Sequence, residues 1–149
     1  MKFLTKIIAT FFGLGFAPIA PGTVASFGVI LLYRFCLSSL SWPAFWGIFL
    51  FLFTSGVITS SLYSRELGQE DPRRIVIDEA AGQWLVLFQL SPDWWLLIAA
   101  FLLFRLFDIL KPFPIKKLEI FPSGWGIMLD DILAGLYAGI VLNLYLFIK

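Results

Sequence analysis

Apolar positions in this chain come in long blocks separated by short polar stretches. Residues 24–40 are apolar apart from Arg34, and residues 45–62 carry no charge. Residues 94–110 are apolar until Arg105 and Asp108, and residues 127–148 carry Asp130 and Asp131 at their opening. Each block reaches the roughly 17 residues a helix needs to cross a bilayer. Residues 80–90 are shorter and read as a buried helix, or as half of a helical hairpin turning at Ser91-Pro92-Asp93. The pattern predicts an all-α polytopic membrane bundle of about 4–5 membrane helices, some short or interrupted, in one domain over residues 1–149.

The start, MKFLTKIIATFFGLGFAPIAPG, has the basic opening and apolar run of a leader peptide. Gly13, Gly15, Pro18 and Pro21 break the run and no small-x-small cleavage site follows, so it reads as a retained, partly re-entrant segment. Basic residues sort by connection: Lys2 and Lys6 come first, Arg65, Arg73 and Arg74 follow the second block, and Lys111, Lys116 and Lys117 follow the fourth. The connections SSLSWP and SPD carry no basic residue, and Trp42, Trp46, Trp94 and Trp95 flank them. The positive-inside rule then puts the N-terminus and both basic connections in the cytoplasm, with an aromatic belt on the far side. Gly135 and Gly139 form a GxxxG step, a helix-packing face that leaves a homodimer open.

Composition agrees with a membrane protein: 60% of the residues are hydrophobic and only 14% charged. The net charge of +1 and the absence of a basic run point away from nucleic acid. There is no histidine, which removes histidine bases, nucleophiles and metal ligands. The single cysteine, Cys36, excludes an internal disulfide and reads as a small apolar residue.

The acids are unevenly placed. Asp78 and Glu79 precede the short block, Asp108 ends the fourth, and Asp130 and Asp131 open the last, all on the cytoplasmic side by the topology above. A lone acid at such a place reads as a helix cap. Two adjacent pairs plus Asp108 in one layer fit a divalent cation better, because carboxylates near hydrocarbon are costly unless paired or cation-bound. An all-oxygen set selects Mg²⁺ or Ca²⁺. Neighbours on a helix point about 100° apart, so one member of each pair can face the bundle while the other caps or serves elsewhere. Arg105, Asp108 and Lys111 recur at spacings of three, on one helical face. Arg105 inside an apolar run needs an anion, and a phosphate suits both it and Lys111. In GLGFAPIAPGTVASFG, Gly22 or Thr23 would cap the next helix, whose free N–H groups suit an anion, with Thr23 and Ser26 as hydroxyl donors. Gly82 would allow close packing beside Asp78 and Glu79.

Four blocks together, GLGFAPIAPGTVASFG, VIDEAAGQW, FRLFDILKPFPIKKLE and GWGIMLDDILAGLYAG, resemble the phosphatidylglycerophosphatase A family over nearly the whole chain. The resemblance implies a bacterial inner-membrane, multi-pass enzyme with its site facing the cytoplasm. It would need Mg²⁺ and remove the terminal phosphate of phosphatidylglycerophosphate to leave phosphatidylglycerol. It implies Glu79, Asp130 and Asp131 as metal ligands with Asp78 in support, and Arg105, Asp108 and Lys111 at phosphate and metal. Thr23 and Ser26 match the family's proline-glycine-threonine segment. Catalysis would then centre on Asp131, Asp130, Glu79 and Asp108. Ser123 departs from the pattern by standing where a glycine is more usual. Two other classes stay open: a CDP-alcohol-type lipid phosphotransferase, whose ordered aspartate motif is not reproduced, and a small cation transporter, which one-sided acids disfavour.

Overall fold

The computed structural model describes residues 2–148, and among them every regular element is helical. The α-helices are α1 (Lys2–Ala9), α2 (Pro21–Leu32), α3 (Trp42–Leu67), α4 (Ile77–Val86), α5 (Trp94–Leu110), α6 (Ile115–Leu118) and α7 (Gly124–Ile148). A 3₁₀ turn (Leu14–Phe16) precedes α2, and a π turn (Tyr33–Leu37) continues it.

Two helices, α3 with 26 residues and α7 with 25, are long and apolar enough to cross a membrane. At 1.5 Å per residue each extends about 38 Å, beyond the ~30 Å hydrocarbon layer. The expected blocks at 24–40 and 94–110 do form helices, but α5 is 17 residues long and Pro21–Leu37 is a shorter apolar stretch carrying a π turn. The expected count of four or five spans therefore reduces to two by length and composition. Large apolar side chains nonetheless lie exposed along the outer faces of α3, α5 and α7, among them Leu50, Phe51, Leu102, Leu106 and Ile140. So wide an apolar surface fits lipid rather than water.

α4 is the axis of the bundle. All its residues except Glu79 are fully or nearly buried, which suits a helix apolar on most sides. Its approach to α7 depends on two glycines. A Cβ at Gly82 would strike the Asp131 carbonyl and the Phe104 ring, and one at Gly135 would strike the Gly82 carbonyl. Gly139 continues this face against Val86. The GxxxG step is thus used within the chain, against α4, and is not a free face for a second copy. On its other side α4 meets α3, where the Trp84 and Phe45 rings stack at 4.6 Å and the Trp84 indole donates to the Phe45 carbonyl at 3.1 Å.

Several helix ends differ from expectation. α7 begins at Gly124, so Asp130 and Asp131 lie inside it and do not cap it. α2 begins at Pro21 after Ala20, so neither Gly22 nor Thr23 is its N-cap. The N-terminal segment folds back through a left-handed turn: Phe11, Phe12 and Gly13 have positive φ, and the Val76 N–H donates to the Ala9 carbonyl at 3.0 Å, tying the segment to the entry of α4. Arg34 lies at the opposite end, its guanidinium 5.7 Å from the centre of the Phe35 ring and 5.8 Å from that of Trp94. Both contacts are cation–π arrangements. Ser123 adopts φ 62°, the left-handed region that favours glycine.

Two stability effects follow. Gly82→Val should lower unfolding stability in detergent by more than about 2 kcal/mol, because neither the Asp131 carbonyl nor the Phe104 ring can retreat within a packed core. Ser123→Gly should raise it by about 1 kcal/mol by relieving the left-handed backbone; thermal melts of the two variants beside the parent check both.

Candidate active site

α4 brings Asp78 and Glu79 to its first turn, and α7 brings Asp131 against them across the Gly82–Gly135 contact. One carboxylate oxygen from each of Asp78, Glu79 and Asp131 lies within 4.8 Å of the other two. The cluster is well shielded: Asp78 is 8% exposed and Asp131 3%. Asp78 Oδ1 and Glu79 Oε2 are buried without a hydrogen-bond partner. Three carboxylates so close repel one another strongly out of water, and hard oxygen donors with unused lone pairs are what a divalent cation takes.

α5 supplies the cationic side. Asp108 lies near Asp131, and Arg105 Nη1 lies 2.8 Å from Asp108 Oδ2. That contact is an ion pair by distance but is poorly aligned, and neither Nε nor Nη1 of Arg105 makes a hydrogen bond. Buried guanidinium donors with no partner are expensive, and an incoming oxyanion would satisfy them.

Lys111 does not continue the Arg105–Asp108 face. α5 ends at Leu110, and Lys111 takes a left-handed C-cap (φ 43°) that turns its side chain toward α7. There its ammonium donates to Asp130 Oδ2 and to Glu119 Oε1, each at 2.6 Å. Burial works against its charge, but the bonds to Asp130 and Glu119 outweigh that and raise its pKa above the usual lysine value. Asp130 is thereby engaged: one oxygen holds Lys111 and the other accepts the Asp131 N–H at 3.0 Å. Of the expected set, Glu79 and Asp131 group with Asp78, while Asp130 lies beside them bonded to Lys111. Asp130 and Asp131 point apart because neighbours on one helix must.

The start of α2 completes the site. A Cβ at Gly22 would collide with the Glu79 carboxylate, so glycine here lets the helix start lie against that side chain without displacing it. The free N–H groups of the first turn are then close to the carboxylate. Thr23 is half-buried in the same turn. Ser26, fully buried one turn deeper, donates its hydroxyl to the Gly22 carbonyl at 2.9 Å, so its donor is engaged within the helix. Sequence reasoning missed the contact of Gly22 with Glu79 and the part of Glu119. From sequence Gly22 reads only as a cap, and Glu119 carries no spacing signal, being eight residues from Lys111 along an irregular connection.

A family model described as Phosphatidylglycerophosphatase A matches residues 7–146. The chain belongs to the phosphatidylglycerophosphatase A family. Phosphatidylglycerophosphatase A of Haemophilus influenzae is 40% identical over 137 residues, covering 91% of this chain and 84% of its own. The Escherichia coli protein of that name is 33% identical over 138 residues, covering 91% and 80%. A protein of Bacteroides thetaiotaomicron, provisionally named phosphatidylinositol-3-phosphatase, is 40% identical over 149 residues, covering 95% and 92%. No solved structure gives a significant match. As a member of the phosphatidylglycerophosphatase A family the chain is a phosphatase, and the convergence of Asp78, Glu79 and Asp131 is its candidate metal site.

Because Gly22 lies against Glu79, Gly22→Ala should displace that carboxylate. Phosphatase kcat/KM should fall by about 10–100-fold, the usual effect of disturbing the support of a ligand, while the helical circular dichroism stays at the parent level.

Proposed function

We propose that this chain is a Mg²⁺-dependent phosphatase that hydrolyses the terminal phosphomonoester of phosphatidylglycerophosphate to phosphatidylglycerol and inorganic phosphate. The observation that carries this reading is the set of Asp78, Glu79 and Asp131, within 4.8 Å, beside the unsatisfied donors of Arg105 in a chain of this family. Oxygen-only donors with unpartnered buried oxygens fit Mg²⁺, and Ca²⁺ is the closest competitor. When bound, such an ion neutralises phosphate charge and makes a water more acidic.

The chain's own residues take the remaining roles. Glu79, Asp131 and Asp78 hold the ion. Arg105 binds non-bridging phosphate oxygens, since its Nε and Nη1 are buried without a hydrogen bond although Asp108 is ion-paired to it. Asp108, between Arg105 and Asp131, orients the guanidinium and accepts a proton from the attacking water. Asp130 fixes Lys111 near the phosphate and steadies Asp131 through its N–H. Thr23 adds a hydroxyl at the start of α2, and Ser26 holds that turn through Gly22. Water adds to phosphorus, the bond to the glycerol oxygen breaks, and the proton taken by Asp108 passes to that oxygen, giving the free alcohol and inorganic phosphate.

The setting we propose is the bacterial inner membrane, with one multi-pass domain over the whole chain and the site facing the cytoplasm. Two long apolar helices and the apolar outer faces support membrane residence. The basic residues Lys6, Arg74, Lys116 and Lys117 at the site's end support the orientation. In this setting α2 and α5 enter the membrane beside α3 and α7, shielding the short α4. The phosphate of a membrane lipid lies at the same depth as the cluster.

The Bacteroides thetaiotaomicron relative favours a second substrate, a phosphatidylinositol phosphate, on the same site. Phosphate release by purified protein from each lipid, with Mg²⁺ and with EDTA, decides between them. We expect release from phosphatidylglycerophosphate that needs Mg²⁺ and falls by more than about 100-fold in Asp131→Asn and Glu79→Gln. Full activity in both folded variants would sink the site assignment, and faster release from phosphatidylinositol 3-phosphate would move the substrate to the second reading.

A further inference from the structure

One cleft borders Asp130 and another borders Lys111, and their charges differ. The larger, about 720 Å³, is bordered by Arg65, Glu70, Asp71, Glu119 and Asp130, so acids dominate it. The second, about 630 Å³, runs along Lys111, Phe113, Lys116, Lys117 and Ile120. The one acid lining it, Glu119, is taken up by Lys111. Lys116 and Lys117 are exposed, and no carboxylate among the described residues pairs with either. Lys117 Nζ rests 4.9 Å from the centre of the Phe113 ring. Phe113 is 75% exposed and Ile120 81%. The fully buried Ile115 anchors α6 to the core and so holds the two following lysines at a fixed place. At its inner edge the groove reaches the active site through Lys111, which is bonded to Asp130, the neighbour of Asp131.

Unpaired ammonium groups above exposed apolar side chains fit an amphiphilic anion better than a soluble one. We propose that this groove holds the bridging phosphodiester of the lipid whose terminal phosphate meets the carboxylates, with Lys116 and Lys117 on the diester oxygens and Phe113 and Ile120 against the lipid's glycerol and first acyl carbons. The acidic cleft would repel that group, which is why the basic one is chosen. The inference rests on the phosphatase reading above but not on its choice of headgroup. Phosphatidylglycerophosphate and a phosphatidylinositol phosphate each carry a bridging diester as well as a terminal monoester, whereas phosphatidic acid has the monoester alone. The groove is therefore a device for selecting lipids with two phosphates.

The test pairs binding with kinetics on the full chain, comparing Lys116→Ala/Lys117→Ala with Lys116→Arg/Lys117→Arg. Native mass spectrometry in EDTA reads retention of short-chain phosphatidylglycerol, a diester without a monoester. The alanine pair should bind it about tenfold more weakly than the parent, and the arginine pair should restore binding. In turnover, the alanine pair should raise KM for the preferred two-phosphate lipid about tenfold with kcat near the parent value, and leave phosphatidic acid turnover unchanged. Unaltered phosphatidylglycerol retention would overturn the proposal. So would an equal loss on phosphatidic acid, which would reduce the lysines to general attraction for an anionic membrane. If the parent hydrolyses no lipid phosphomonoester, the phosphatase reading fails and the binding arm alone decides the groove.

Discussion

Mutual repulsion among buried carboxylates is the constraint on which the rest of this structure depends. Asp78, Glu79 and Asp131 gather in a bundle whose interior is apolar, where charge is poorly solvated. Such a cluster persists only if the backbone holds it and opposite charge is near. The Gly82–Gly135 contact supplies the first condition by pressing α4 against α7. Arg105 supplies part of the second through Asp108, and a divalent cation would supply the remainder.

The same constraint explains how the other ions divide. Lys111 could have joined the cluster but is drawn off by Asp130 and Glu119. One centre thus stays short of positive charge, and a second beside it is satisfied. A site for a divalent cation needs this imbalance: a fully paired set of ions has no electrostatic reason to take up a metal. Arg105, with N–H groups unused, is poised in the same way.

Much of this was legible from the chain. Long apolar blocks specify helices, and the acids at the edges of those blocks stood out because hydrocarbon penalises them. Arg105 and Asp108 at a spacing of three were expected to meet and do. Lys111 at the next spacing was expected on the same face and is not, because α5 ends one residue before it. Spacing rules hold only while a helix continues. The helix ends around Pro21 and Gly124 were likewise misplaced, since ends are set by packing and backbone conformation more than by the hydrophobic pattern.

Sequence by itself determined the helical class, the apolar surface and the residue types of the site, because each follows from local composition and from what a low-dielectric surrounding tolerates. It also carried the family, since the matching blocks recur in order. Only the tertiary structure decided which carboxylates share a centre. Asp130 and Asp131 are equivalent as sequence, yet they point in different directions once α7 is docked on α4. Gly22, Gly82 and Gly135 matter for the space they leave to another segment, and that space exists only after the chain has folded. Chemistry at a distance along the chain, such as Lys111 with Glu119 and Asp130, is a property of packing and not of spacing.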